Sequence, residues 1–391
     1  ALGNDHALAA RACVVAGERA LRLFANGEAG GFAERGARHV ERLPWGPLKV
    51  ETAIALLNIR ITAATGPGLR SLPPIANDVA AMTAAAEALG LHAPAVTGHY
   101  LLSVLYQEAG DRPQAEQSTL RAARVGRVTD QATHLHQLAN TARCLLELET
   151  QIPRTRALVA EAEAVTDALG IELCELEWAR GLLHRWDGHL IPATRSFTRA
   201  LALARHTEDL RREGKCLTWL AMLAFEQGHY DDTRTRCTEL VAIATQAGDD
   251  TPCAMTMQAL AALPATDFAS RQQLDIALQR MRDVDDKSYL AYALNAAAEL
   301  MLRAGDVGSG RDLAREALTA SSLMRRQNDI AIAWALLART GDEGAMLELQ
   351  RLVGGLTVPG RLSARARSSV LAAAAAVPGI PTRASTPPSH T

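Results

Sequence analysis

The stretch Leu101–Arg124, LLSVLYQEAGDRPQAEQSTLRAAR, decides the fold. Leu102 and Tyr106, four apart, share one face of a helix. Gly110-Asp111 interrupts that helix. Pro113 suits the first turn of a second one, because its missing N–H has no partner to lose there. Ala115 and Ala122 then present small side chains to the first helix. This is a helical hairpin, and its pattern recurs. Around Gly188, the segment GLLHRWDGHLIPATRSFTRALALAR repeats it with Gly181, Ala193, Phe197 and Ala200. Around Gly228, LAMLAFEQGHYDDTRTRCTEL carries Leu220, Ala221 and Tyr230, with Cys237 where the previous copy has Phe197. Around Gly305, LNAAAELMLRAGDVGSGRDLAREAL carries Ala298, Ala314 and Ala317.

Weaker copies extend the series, so turns fall at or near residues 27, 68, 110, 150, 188, 228, 267, 305 and 341, spaced 36 to 42 residues apart. Self-similarity at such a period marks a helical solenoid. The leucine, tyrosine, turn glycine and paired alanines at these offsets resemble the tetratricopeptide (TPR) repeat. The expected fold is therefore all-α, a right-handed superhelical solenoid of about nine antiparallel hairpins over residues 1–376. Within it, 361–376 forms a capping helix that covers the last apolar face. From Pro378 the chain reads PGIPTRASTPPSHT, and its prolines, serines and threonines predict a disordered tail over 377–391. In the first hairpin, a helix over 6–26 pairs with one over 28–43.

A second resemblance lies in AGERALRLFANGEA, residues 16–29. It is similar to the entry into the TPR region of bacterial STAND regulators, the signal-transduction ATPases with numerous domains, including MalT-like activators and ATPase-coupled nucleotide cyclases. That resemblance implies a cytoplasmic sensor module that binds a protein, a peptide or a small-molecule inducer, with the ATPase domain in a missing part of the parent chain. The alternative is a freestanding TPR adaptor for peptide or protein partners. The chain starts at Ala1 without an initiator methionine, consistent with a fragment or a processed product.

Composition narrows the function. A formal net charge of −2 gives no global field for nucleic acid or an anionic membrane, so neither is expected as a partner. The arginine pairs Arg211-Arg212 and Arg325-Arg326 read as solvated helix faces. No run of 18 apolar residues spans a bilayer, and the amino terminus lacks the basic start of a signal peptide. None of the six cysteines forms a CxxC pair, which fits reduced core residues of a cytosolic protein.

No cofactor is expected. A phosphate-binding P-loop needs a glycine-rich strand exit ending in Gly-Lys-Ser/Thr. The lysines Lys49, Lys215 and Lys287 have no such context, and Gly214-Lys215 precedes Cys216 inside a helical pattern. His134 and His136 are two apart and diverge on a helix, so they share no metal. The acid pairs Asp249-Asp250 and Asp285-Asp286 read as turn and capping groups. No nucleophile elbow or other catalytic constellation occurs, so enzymatic activity is not expected.

The informative surface is the concave one, lined by the first helices of successive hairpins. Aligned by their turns, the inward positions are Tyr100, Val104 and Gln107, then Asn140, Cys144 and Glu147. Trp178, Leu182 and Arg185 follow, with Trp186 beside them. Thr218, Met222 and Phe225 come next, then Tyr292, Asn295 and Glu299. The chain has only five each of Trp, Tyr and Phe, and five of these aromatics fall on this surface. The expected binding face is therefore Tyr100, Gln107, Asn140, Glu147, Trp178, Arg185, Thr218, Phe225, Tyr292 and Asn295, with Trp178 and Asn140 touching the ligand. Phe197 is expected in the core.

Overall fold

The computed structural model describes residues 5–64, 73–246, 251–263, 268–283, 287–356 and 361–377. Among these there is no strand, and helices follow one another in antiparallel pairs. The first pairs are α1 (His6–Arg22) with α2 (Asn26–Glu41), α3 (Pro47–Ala63) with α4 (Pro73–Ala88), and α5 (His92–Glu108) with α6 (Arg112–Gly126). Next come α7 (Gln131–Glu147) with α8 (Ile152–Leu169), α9 (Cys174–Asp187) with α10 (Leu190–His206), and α11 (Leu210–Glu226) with α12 (Tyr230–Gln246). The last three pairs are α13 (Pro252–Ala262) with α14 (Phe268–Asp283), α15 (Lys287–Arg303) with α16 (Val307–Leu323), and α17 (Gln327–Arg339) with α18 (Glu343–Gly355). A final helix, α19 (Ala364–Ala376), packs on α17 and α18. The fold is a TPR-like helical solenoid.

The turns follow from local chemistry. Gly110, Gly188, Gly228, Gly305 and Gly341 all sit at φ between +75° and +83°, the left-handed region that ends a helix without a side-chain penalty. After three of them an aspartate caps the next helix: Asp111, Asp306 and Asp342 accept from the backbone N–H of Gln114, Ser309 and Ala345. The expected turns near 68 and 267, the tail from 378 onward and both acid pairs lie outside the described residues. The first turn differs from expectation. It occupies Leu23–Ala25 rather than Gly27, and Phe24 takes a left-handed φ of 64°. Gly27 lies inside α2.

Within hairpins the small residues allow close approach. Ala115, Ala193, Ala200, Ala314 and Ala317 are completely buried. Phe197 fills the aromatic position with no exposure, edge-on to Trp178 at 6.4 Å and stacked on Trp219 at 5.7 Å between ring centroids. Cys237 occupies the equivalent place one hairpin later, and burial pushes its thiol up to about 12. Polar pairs about 34 residues apart tie neighbouring hairpins, as in Arg282 with Glu316 and Asn295 with the Asp329 carbonyl.

The superhelix also closes on itself. Helix α1 touches α11: Arg211 Nη1 donates to Asn26 Oδ1 at 3.2 Å, and the Phe24 ring lies against Gly214. Further along, α17 and the turn before it meet the third and fourth hairpins. Arg112 reaches the Met324 carbonyl, and the Asn328 N–H donates to Glu149 Oε2 at 3.0 Å. Helix α19 folds back onto α9, with Ala364 against Gly188.

Candidate functional site: a chamber inside the superhelix

The six first helices α1, α3, α5, α7, α9 and α11 line one open chamber of about 710 Å³, and the contact of α1 with α11 brings its two ends together. Tyr100 enters it from α5, Asn140 and Arg143 from α7, Trp178 from α9, and Arg211 and Lys215 from α11. Thus three of the ten expected binding residues, Tyr100, Asn140 and Trp178, lie together on its wall. The volume lies in the range of small-molecule sites.

Arg143 organises one side. Its guanidinium donates to both Glu147 oxygens at 2.8 and 2.9 Å and to the Tyr100 hydroxyl at 3.0 Å. Glu147 is therefore the counter-ion of a wall residue. The Arg143 charge favours the Tyr100 phenolate, but burial, Cys144 and Glu147 outweigh it and the phenol pKa is raised. On the opposite side Arg212 pairs with Glu175 and Asp209, and Asp209 caps α11 through the Arg212 N–H at 2.9 Å.

Trp178 joins the chamber to the core. Its ring is 7% exposed, packs on Phe197, and carries Lys215 Nζ 5.6 Å and Arg143 Cζ 6.0 Å from its centroid. Its indole N–H is buried without an acceptor among the described residues. The Lys215 pKa is lowered to about 7, first by desolvation within the superhelix and then by Arg211 and Arg143. The side chain still meets the chamber solvent, which screens part of that effect.

The other expected residues take different places. Gln107 sits beyond the chamber on the last turn of α5, and the Thr218 hydroxyl donates to the Gly214 carbonyl of its own helix. Phe225 tilts against Tyr230 at 5.6 Å. Asn295 is fully buried, its amide engaged by the Asp329 carbonyl at 3.1 Å. Arg185 and Tyr292 meet in a second, closed cluster around Glu226. Arg185 binds Glu226 through Nη2 at 2.5 Å and Nε at 3.1 Å, the Tyr292 hydroxyl donates to Glu226 at 3.2 Å, and Arg365 of α19 adds a contact at 3.4 Å. Burial alone would raise the Glu226 carboxyl, but Arg185 and Arg365 overcome it and hold the pKa below the usual value. The Arg365 guanidinium lies 4.5 Å over the Tyr292 ring, so the capping helix fills this part of the interior.

Two expectations about charge are corrected. Arg211 and Arg212 face the chamber rather than bulk solvent, because closure of α1 on α11 turns that face inward. Arg326 lies between Asp329 and Glu149, at 2.7 and 3.7 Å, in the contact between successive turns of the superhelix. The repeat alignment by itself does not single out Arg143, Lys215 or Glu226. Arg143 follows Asn140 by three positions on the same face, a spacing that identifies it once charge is allowed on an inner wall. Among the described residues, no helix is long and apolar enough to cross a membrane, and no group of three or more His, Cys, Asp or Glu side chains could hold a metal.

A solenoid of successive antiparallel helical hairpins belongs to the TPR-like class. Solved structures that share this fold include two Rap proteins. A Rap protein complexed with Competence and Sporulation Factor is 12% identical, with a TM-score of 0.52 over 87% of this chain and 99% of that one. The apo form of RapI is 10% identical, with a TM-score of 0.51 over 81% and 98%. A STAND protein with a tetratricopeptide-repeat sensor from Pyrococcus horikoshii gives 0.39 at 10% identity, over 89% of this chain and 49% of that one. No sequence family matches the chain, and no curated protein matches it in sequence.

Proposed function

We propose that this chain is a binding module, not an enzyme, and that a short peptide or a small-molecule inducer enters the chamber and contacts Trp178 and Asn140. The observation that carries the reading is the chamber itself. Six successive first helices line about 710 Å³ of open space and bring aromatic, amide and cationic groups to it. An asparagine side chain both donates and accepts, which suits a peptide backbone or sugar hydroxyls, while Trp178 and Tyr100 supply apolar area. The Rap structure captured with a factor on the same fold supports a ligand-dependent role. In this reading the chain is the cytoplasmic sensor of a bacterial STAND-type regulator. Ligand shifts the population between two arrangements of the superhelix, to which an ATPase domain elsewhere in the parent protein responds.

The test is selection of ligands from random peptide and metabolite libraries on the immobilised chain, with affinities measured by tryptophan fluorescence. Trp178→Ala and Asn140→Ala, each confirmed folded by circular dichroism, are expected to weaken binding about tenfold or more, the equivalent of about 1.4 kcal/mol. Undiminished affinity in both folded variants would remove the chamber as the site.

A further inference from the structure

Helix α19 is held in two places of different character. The apolar side chains of Leu362, Ala366, Val370 and Ala373 are buried in one cluster with α17 and cover the last hairpin, as a cap must. The first turn does something a cap does not require. It reaches into the interior, where Ala364 meets Gly188 at the end of α9. Arg365 contacts Glu226 of α11 at 3.4 Å and lies 4.5 Å over the Tyr292 ring of α15. The preceding Ser363 N–H donates to Asn328 Oδ1 at 2.8 Å. Glu226 has partners without Arg365, because Arg185 binds it through two nitrogens and the Tyr292 hydroxyl donates to it. Withdrawal of α19 therefore returns one arginine to water and leaves a matched Arg185–Glu226 pair, so no buried charge is stranded. The docked Arg365 side chain keeps 22% of its surface exposed, which gives water a route to this end of the helix.

The same anchor is joined to the chamber by side chains in contact. Trp178 meets Phe197 edge-on at 6.4 Å, and Phe197 stacks on Trp219 at 5.7 Å. The Arg185 guanidinium lies 5.3 Å over the Trp219 ring while it binds Glu226. Phe197 has no exposure and Trp178 only 7%, so one ring cannot move without its neighbour. Helices α9 and α11 carry both ends of this path. Trp178 and Lys215 line the chamber from their first two turns, and Arg185 and Glu226 meet α19 at their last.

We infer that α19 is a releasable latch on the superhelix, docked through Arg365, and that its hold depends on the packing of Trp178 through Phe197, Trp219 and Arg185. This rests on the proposed binding role in one respect: a ligand that leans on Trp178 would shift the balance between docked and released α19. Release would uncover Glu226 and the Tyr292 ring, giving the module a surface that changes with its contents. The two-state element is α19 itself, which both ends of the path bias.

The experiment is amide hydrogen exchange on the full chain without ligand. In the parent, α19 amides are expected to exchange through an opening that leaves α17 protected. Arg365→Gln removes the ion pair and the ring contact and should raise that opening about three- to tenfold. Trp178→Phe keeps an aromatic ring beside Phe197. It should raise α19 opening about two- to thirtyfold while α2 and α4, which lie off the path, keep the parent's protection. In the Arg365→Gln background the same Trp178 change should have little further effect on α19, because the connection it acts through is gone. Trp219→Phe, one step nearer the latch, gives the same comparison should Trp178→Phe not fold. Three results would overturn the latch while leaving the chamber's binding role standing: α19 exchange only together with α17 and α18, unchanged α19 exchange in Trp178→Phe, or an equal increase with and without Arg365. Failure of the ligand selection with this coupling intact would remove the binding role and leave the latch.

Discussion

The contact between Gly181 and Phe197 makes a prediction whose sign depends on its partner. Phe197 is completely buried between Trp178 and Trp219, with ring centroids 6.4 and 5.7 Å away. Phe197→Ala should cost about 3–5 kcal/mol, the usual range for a buried aromatic reduced to a methyl group. Gly181 lies in the interior of α9 with helical backbone geometry, so Ala there should favour the helix by roughly 0.5–1 kcal/mol. In the intact protein, however, its Cβ would fall 2.5, 2.7 and 2.9 Å from three atoms of the Phe197 ring. That ring has no room to retreat. Overpacking of this kind costs about 1–3 kcal/mol. Gly181→Ala is therefore expected to destabilise the parent and to stabilise Phe197→Ala, with a coupling of about 1–3 kcal/mol between the sites, the overpacking cost itself. Urea unfolding followed by tryptophan emission reports on this region through Trp178, Trp186 and Trp219. Solenoids can unfold in segments, so amide exchange in α9 and α10 should accompany it. An effect of the same sign in both backgrounds would refute the packing argument.

Lys215 supplies a pH prediction. Its folded pKa of about 7 lies below its ordinary 10.5, so between those values the unfolded chain binds more protons and stability rises with pH. Lys215→Met should therefore raise the melting temperature at pH 6, where the charge faces Arg143, Arg211 and Arg212 with Glu147 opposing, and the gain should fade as pH approaches 10.5. An equal shift at both ends would show that Lys215 does not titrate in this environment. Glu226→Gln leaves Arg185 and Arg365 without their shared counter-ion in a site where the glutamate side chain is 7% exposed. A loss of about 3–5 kcal/mol is expected on breaking a buried pair, with faster amide exchange in α19; protection equal to the parent would show that α19 is held by its apolar face alone.

Much of this architecture is legible in the sequence because its causes are local. A left-handed glycine followed by a capping aspartate announces a turn wherever it occurs, as at Gly110-Asp111, Gly305-Asp306 and Gly341-Asp342. Alanines at hairpin offsets announce close helix pairs, and periodicity then sets the solenoid. The inward stripe on the first helices follows from the same alignment, which includes Tyr100, Asn140 and Trp178 of the chamber wall. What tertiary structure alone decided is the path of the superhelix after one turn. Its closing contacts join Asn26 to Arg211, Arg112 to Met324, Glu149 to Asn328 and Glu226 to Arg365, over separations of 185, 212, 179 and 139 residues. No 40-residue period encodes such distances. Among the described residues, three of the five non-glycines at positive φ, Phe24, Glu149 and Arg325, lie in or beside these contacts, where local preference yields to packing. Closure also reverses the reading of charge. Arg211 has the sequence context of a solvated helix face, and it becomes a chamber wall because α1 arrives from nearly two hundred residues away to cover it.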